Sequence, residues 1–287
     1  MPNKQNPAYA GTRAADLRRW ATIQMLQLVT TTLYGHPVWN ADSIDDYSEF
    51  LRNRSRSSQV LFRGQNSNWP LLPYISRITQ RDRIPVIEQE LRYAFAKESK
   101  PFVGTPPDNE WDALVLAQHH SMATRMLDWT RNPLVALWFA VRKPPTDAEF
   151  RPEVWVFDPL PENILADKMQ GSPFDIDRTQ VFIPSHFHPR IQAQDAATVV
   201  FKYIPNFPKG FCELSKNKLL RHRLERIRFP NYKARNIRTQ LCRKGYTSFN
   251  LFPDLDKTCK RILKELIKRP NKALQAIGAK ARLQPER

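Results

Sequence analysis

WDALVLAQHHSMATRMLDWTRNPLVALWFAV, from Trp111 to Val141, places two histidines, a Thr-Arg pair, an Asp-Trp-Thr triplet and an Asn-Pro between two strongly apolar runs. A buried polar group costs free energy unless it is hydrogen-bonded, so such density inside apolar flanks marks a site more often than plain core. The pattern predicts a helix over 110–120, which Asp108 can cap, and a second over 133–141 with Asn132 as cap and proline at its first position. Read as extended, the stretch between them turns Arg125, Leu127 and Trp129 one way and Thr124, Met126, Asp128 and Thr130 the other. One of His119 and His120 faces inward with Leu114, Val115 and Ala117, the other outward.

Toward the N-terminus, LFRGQ at Leu61 to Gln65 is the natural partner of this stretch. Val60, Leu61 and Phe62 predict a short strand over 59–63 ended by Gly64. Further helices are expected over 14–33, over 43–54 from a Ser43 cap, and over 84–97 with Ile87, Leu91, Ala94 and Phe95 at core spacing. Strands are expected over 153–157 and 198–203, basic helices from Asn217 to Gly245, and a last helix over 255–268. Irregularly ordered helices, short strands and long loops imply an α+β fold rather than a doubly wound sheet. The chain divides into an N-terminal helical segment (1–57), a core (58–205) and a basic, mainly helical C-terminal region packing on that core (206–287).

The charge is unevenly placed. From residue 216 onward there are 21 Lys or Arg against 5 Asp or Glu, a net +16 of the chain's +17. That asymmetry is the footprint of a polyanion, RNA or DNA, or of an acidic partner protein, with a solubilising helical tail as the bland alternative. Lys216, Lys218, Arg221, Arg223, Arg226, Arg228, Lys233, Arg235 and Arg238 are the candidate nucleic-acid contacts. The longest uncharged apolar run, Leu134 to Val141, is far short of the ~20 residues of a membrane helix. No secretory h-region is read at the N-terminus, and the three scattered cysteines suit a reducing cytoplasm rather than a disulfide scaffold or a zinc site.

Arg63 emerges from a strand beside a glycine that lets a ligand or another backbone approach closely, and its fork suits a phosphate or carboxylate. Equally, it could pair an internal acid such as Asp128 or Glu90. Asp128 could serve Arg125 or Arg63 as a structural partner, and Trp129 offers a flat face to a base or is simply core. No carboxylate or cysteine stands at metal-ligand spacing from His119 and His120, so no metal is expected. Hydrolase-triad, P-loop, Rossmann and zinc-protease signatures are absent from the sequence.

LFRGQNSNWPLLPYISR, LAQHHSMATRMLDWTRNPLVALWFA, EVWVFD, RIQAQ at Arg190 to Gln194 and NLFPDLDK at Asn250 to Lys257 resemble, in that order, the segments of the FRG domain family. That family is named for a Phe-Arg-Gly motif, here Phe62-Arg63-Gly64. The likeness runs from about residue 58 to 262. The sequence departs from the family pattern at Ser121-Met122-Ala123, in place of a Gly-Leu-Pro-like turn, and at Asp195, where a glycine commonly follows the glutamine. A weaker resemblance is to the ADP-ribosyltransferases with an Arg-Ser-Glu arrangement. It implies a small mixed or antiparallel sheet flanked by helices, NAD as substrate and no metal. It also implies Arg63, Thr130 and Gln194 as catalytic residues. Arg63, Gly64, Gln65, His119, Thr124, Arg125, Asp128 and Trp129 would then contact NAD. Gln194 is the positional counterpart of a catalytic glutamate, and Glu213 an alternative without motif support. The expected function is a cytoplasmic ADP-ribosyltransferase-like enzyme modifying nucleic acid, RNA before DNA, as the toxin of a toxin–antitoxin or phage-defence system. The alternative is a non-catalytic module binding nucleic acid or an acidic antitoxin.

Overall fold

Alternation along Leu61–Gln65 sends Phe62 and Gly64 to one side and Leu61, Arg63 and Gln65 to the other, and this division organises the molecule. The computed structural model describes residues 28–31, 35–53, 59–102, 107, 109–143, 151–165, 171–184 and 188–253. Within them lie strands β1 (Leu28–Thr31), β2 (Pro37–Asn40), β3 (Leu61–Gln65), β4 (Met126–Thr130), β5 (Glu153–Phe157), β6 (Gln180–Phe182), β7 (Ala196–Val200) and β8 (Leu224–Arg228). They form one eight-stranded sheet in the order β1-β2-β8-β5-β3-β4-β7-β6. The β2–β8 pair is parallel and the other pairings are antiparallel.

The helices are α1 (Ile44–Arg52), α2 (Ile75–Ile78), α3 (Ile84–Glu98), α4 (Glu110–His119), α5 (Pro133–Val141), α6 (Pro189–Ala193), α7 (Asn231–Arg243) and α8 (Ser248–Leu251). On the Phe62 side, α5 lies over Phe62, Val154, Val156 and Ile227, with residues of α1 and α7 in the same core. Its sequence is apolar all round because it is covered by sheet and helices alike. Next to it, α4 sets Trp111 and Val115 on Met126, Phe182 and Val200. The opposite face of the sheet, with Leu61, Leu127, Trp129, Trp155 and Phe157, is covered by Leu71, Leu72, Ile75 and Ile84 and by Phe211, Leu214 and Leu220. The chain is thus an α+β fold with a mostly antiparallel sheet flanked by helices.

Several local expectations are met. Ser43 caps α1 through Asp46 N–H, and Asn132 caps α5 through the N–H groups of Leu134 and Val135, ahead of a first-turn proline. Others are corrected. Asn109, not Asp108, caps α4. Residues 28–31, expected at the end of an N-terminal helix, are a strand, and the rest of that expected helix lies outside the described residues. Leu224–Arg228, read as part of a basic helix, is a strand inserted between β2 and β5, where Arg226 and Arg228 both face the buried Glu153 carboxylate across the ladder at 3.4 Å. One sheet therefore spans all three of the segments drawn from sequence. On α3 only Ile84 and Glu88 are buried, and Ala94 is exposed. The expected helix over 255–268 lies outside the described residues.

The two described non-glycine residues with positive φ are Ser121 (68°) and Asp195 (44°). Ser121 follows α4 in a Schellman turn, with Ser121 N–H on the Gln118 carbonyl and Met122 N–H on that of Ala117. Gly245, φ 91°, holds the same place after α7, where Gly245 N–H meets the Cys242 carbonyl and Tyr246 N–H that of Leu241. A Cβ in this conformation is strained, so Ser121→Gly is expected to stabilise the fold by about 0.5–1 kcal/mol, read as a higher urea midpoint at unchanged slope. A lower midpoint would show that the serine hydroxyl contributes more than the strain costs.

Candidate functional site

The strand that carries Phe-Arg-Gly is fully laddered on one side only. β3 pairs with β5 over five residues, from Leu61↔Phe157 to Gln65↔Glu153, whereas its pairing with β4 is confined to Phe62↔Thr130. Beyond that pair the two strands part. The Arg63 guanidinium fills the gap, its Nη1 donating to the Asp128 backbone carbonyl at 2.5 Å. Trp155 stands directly across from Arg63 on β5, and Trp129 lies on the same face of β4. Arg63 is half-buried. Burial lowers its pKa to about 10, with Asp128 opposing the shift and the like charge of Arg77 adding to it. It remains a cation at neutral pH.

Three donors beside this parting have no acceptor among the described residues: Arg63 Nε, Gln65 Nε2 and Trp129 Nε1. Gln65 and Trp129 are only 4% and 3% exposed. The amide orientation of Gln65 is fixed, because its Oε1 accepts from Trp155 Nε1 at 3.1 Å. A buried polar group without a partner costs about 1–3 kcal/mol, and three together are rare without a reason. All three are N–H groups from the same face of the sheet, one of them on the guanidinium itself, so their chemical complement is an acceptor-rich anion.

The Asp128 side chain leaves β4 on the opposite face, where it is exposed. Gln118 Nε2 donates to its Oδ1 at 3.3 Å, and Gln118 Oε1 accepts from Thr124 at 2.5 Å. His119 is the inward histidine, 8% exposed, and His120 the outward one. Burial lowers His119 to about 4, aided by Arg190, His188 and His120 and opposed by Asp128, so its imidazole is neutral at physiological pH. Arg190 donates to the His119 carbonyl and lies 4.5 Å from the Phe252 ring centroid. A cavity of about 20 Å³, room for roughly one water, is lined here by Gln118, His119, Asp128, Gln194 and Thr198.

Other expected site residues are bound into the fold. Thr130 donates to the Gln194 carbonyl and accepts from Asn132 N–H, ordering the entry to α5. The Gln194 amide donates to the Leu251 carbonyl at 2.9 Å. Arg125, 3% exposed, forms a two-pronged pair with Glu88 rather than with Asp128. Gly64 opens no space for a ligand: a Cβ there would lie 1.8 Å from the Ala136 carbonyl oxygen, so the close approach is that of α5. Nor do Arg63 and the side chains of Asp128 and Thr130 share one dinucleotide-sized cavity, since strand alternation places them on opposite faces. A cavity of about 1050 Å³ between α3 and α4 is lined by Glu88, Leu91, Tyr93, Leu114 and Thr124 among others, not by Arg63 or Asp128. Among the expected nucleic-acid contacts, Arg223 pairs with Asp158, Arg226 and Arg228 with Glu153, and Lys216 with Glu213. Lys233, Arg235 and Arg238 lie on α7. Gln118, Arg190 and His188 were not singled out from sequence, although RIQAQ contains Arg190.

Residues 58–149 match the family described as FRG domain. This segment contributes Arg63, Gln65, Gln118, His119, Asp128 and Trp129, while Arg190, Gln194 and the strands β5 to β8 follow it in the chain. No curated protein and no solved structure matches the chain. Among the described residues no helix is long and apolar enough to cross a membrane, and no cluster of His, Cys, Asp or Glu has the makings of a metal site.

Proposed function

We propose that the FRG domain grips the phosphates of a nucleotide-class ligand, NAD, at the parting of β3 and β4. The chain would then act as an ADP-ribosyltransferase-like enzyme on a nucleic acid. The observation that carries this reading is the set of three donors on one face of the sheet, Arg63 Nε, Gln65 Nε2 and Trp129 Nε1, that lack an acceptor among the described residues. Arg63 holds the diphosphate with its fork, and Trp129 and Trp155 flank it with apolar surface. When the N-glycosidic bond breaks, nicotinamide leaves with the bonding electron pair and positive charge develops on the ribose. A nucleophile of the nucleic acid then bonds to the anomeric carbon and releases its proton. Thr130 and Gln194, bonded to one another and to the start of the following helix, support the frame. The cations of α7, Lys233, Arg235 and Arg238, draw in the acceptor electrostatically. An acidic antitoxin docking on the same residues would restrain such an enzyme, the setting of a toxin–antitoxin or phage-defence pair.

The test is calorimetric titration with NAD and with ADP, joined to mass spectrometry of RNA, DNA and protein after incubation with NAD. Arg63→Ala is expected to weaken binding at least about tenfold, the scale of one charge-assisted bidentate contact, with the thermal midpoint retained. Arg63→Lys keeps the charge but not the fork and should recover little. If the wild-type chain neither binds NAD nor modifies any acceptor, the reading is wrong.

A further inference from the structure

Between the Phe-Arg-Gly strand and α3, the segment Trp69 to Arg83 combines a pinned backbone with outward aromatics. Leu71, Leu72 and Ile75 are buried at 1%, 6% and 0% exposure and anchor it to the Arg63 face of the sheet, whereas Trp69, Tyr74 and Ile78 are 51%, 50% and 53% exposed. Its turns are closed by Trp69 N–H on the Ser67 carbonyl at 2.8 Å and by the Ser76 hydroxyl on that of Pro73 at 2.7 Å. Arg77 Nη2 donates to the carbonyls of Pro70 and Leu72, both at 3.1 Å, which holds the guanidinium 5.3 Å from the Trp69 ring centroid. Scattered single apolar residues on a surface mean little, but three half-exposed ones within ten positions around a fixed cation are a patch. The charge is of one sign: Arg77, Arg81 and Arg83 stand against Asp82, which pairs with Arg81. Leu71, Leu72 and Ile75 pack with Leu61, Trp129 and Trp155 on the face of the sheet that carries Arg63, so the patch lies on the same side as the parting of β3 and β4.

We infer that Trp69, Tyr74 and Arg77 form a stacking platform for the bases of a single-stranded nucleic acid, which brings the acceptor strand to the Arg63 site. An aromatic face backed by a guanidinium accepts any base, and neighbouring arginines meet the phosphates between them. An acidic peptide would use the cations but leave both rings without a partner. The inference rests on the proposed nucleic-acid acceptor and moves its point of contact from α7 alone to a surface on the same side of the sheet as the ligand site.

The experiment uses the full chain, a fluorescein-labelled single strand of about 12 nucleotides and a duplex of equal length, followed by fluorescence anisotropy across a salt series. Trp69→Ala with Tyr74→Ala, both exposed and so harmless to folding, is expected to weaken single-strand binding at least about tenfold at an unchanged salt slope. Lys233→Glu with Arg235→Glu should instead flatten that slope, and calorimetric NAD binding should be untouched by the aromatic pair. Wild-type affinity in the aromatic variant, equal loss for duplex and single strand, or self-association that disappears with Trp69 would each overturn the platform. Failure of the NAD reading shows separately, in the wild-type titration.

Discussion

Gly64→Ala is expected to cost at least about 3 kcal/mol and to release α5 from the sheet, a larger effect than loss of one ligand contact. The added methyl would stand 1.8 Å from the Ala136 carbonyl oxygen, 2.6 Å from Ala140 N and 2.9 Å from the Ala136 carbonyl carbon. All three obstacles are backbone, so no rotamer change relieves them. Strand and helix would have to separate, which opens the core of Phe62, Val154, Val156 and Ile227 beneath α5. Small residues at 136 and 140, one turn apart, are what permit the approach. The measurement is urea unfolding by circular dichroism, with Arg63→Ala as comparison. If Gly64→Ala unfolds like wild type and fails only in NAD binding, the glycine serves a ligand and the packing account is wrong.

That glycine shows which kind of information the sequence carried. The α+β class, strand 153–157, helix 133–141 and its Asn132-Pro133 start were legible because each rests on local chemistry: alternation, helical spacing, a cap. Leu224–Arg228 was not. Its arginines suggested a solvated basic helix, and what makes a strand of it is pairing with β2 and β5 and a shared carboxylate, Glu153, more than seventy residues away. The surplus of charge in the last quarter was real in sum but misleading residue by residue, because several of those cations are held by carboxylates from the nearly neutral part of the chain. The segments expected to converge do meet on one sheet, with Gln65 and Trp129 on the Arg63 face and His119 and the Asp128 side chain on the other. What escaped was sidedness. Counting alternate residues along β4 puts Trp129 and Asp128 on opposite faces, yet only the sheet order reveals that Arg63 sits with the former.

The second large effect belongs to Arg125, singled out beside Thr124 for its polar setting within an apolar run. Its Nε and Nη2 meet the two oxygens of Glu88 at 2.8 and 2.5 Å, its Nη1 meets the Phe174 carbonyl at 3.1 Å, and its guanidinium carbon lies 4.8 Å from the Phe174 ring centroid. With the side chains 4% and 3% exposed, neither charge has water to fall back on. Removing one partner leaves an unpaired ion in a dry interior, so Arg125→Ala and Glu88→Ala are each expected to cost about 3–5 kcal/mol. Replacing both by apolar residues of similar size, Arg125→Met with Glu88→Leu, removes the unpaired charge and should recover most of that loss. A double-mutant cycle in urea decides between two accounts of the pair. Strong positive coupling makes it a clamp that ties the otherwise lightly docked α3 to the start of β4, beside the large cavity between α3 and α4. Additive losses would mean that each residue acts through other neighbours, and that Arg125 holds Phe174 and its loop rather than Glu88. Because Arg125 lies three residues from Asp128 along the same chain segment, the clamp account also carries a functional consequence. In it, the double replacement restores stability yet leaves α3 free to move, and any change in NAD binding then reads transmission along β4 rather than lost contact.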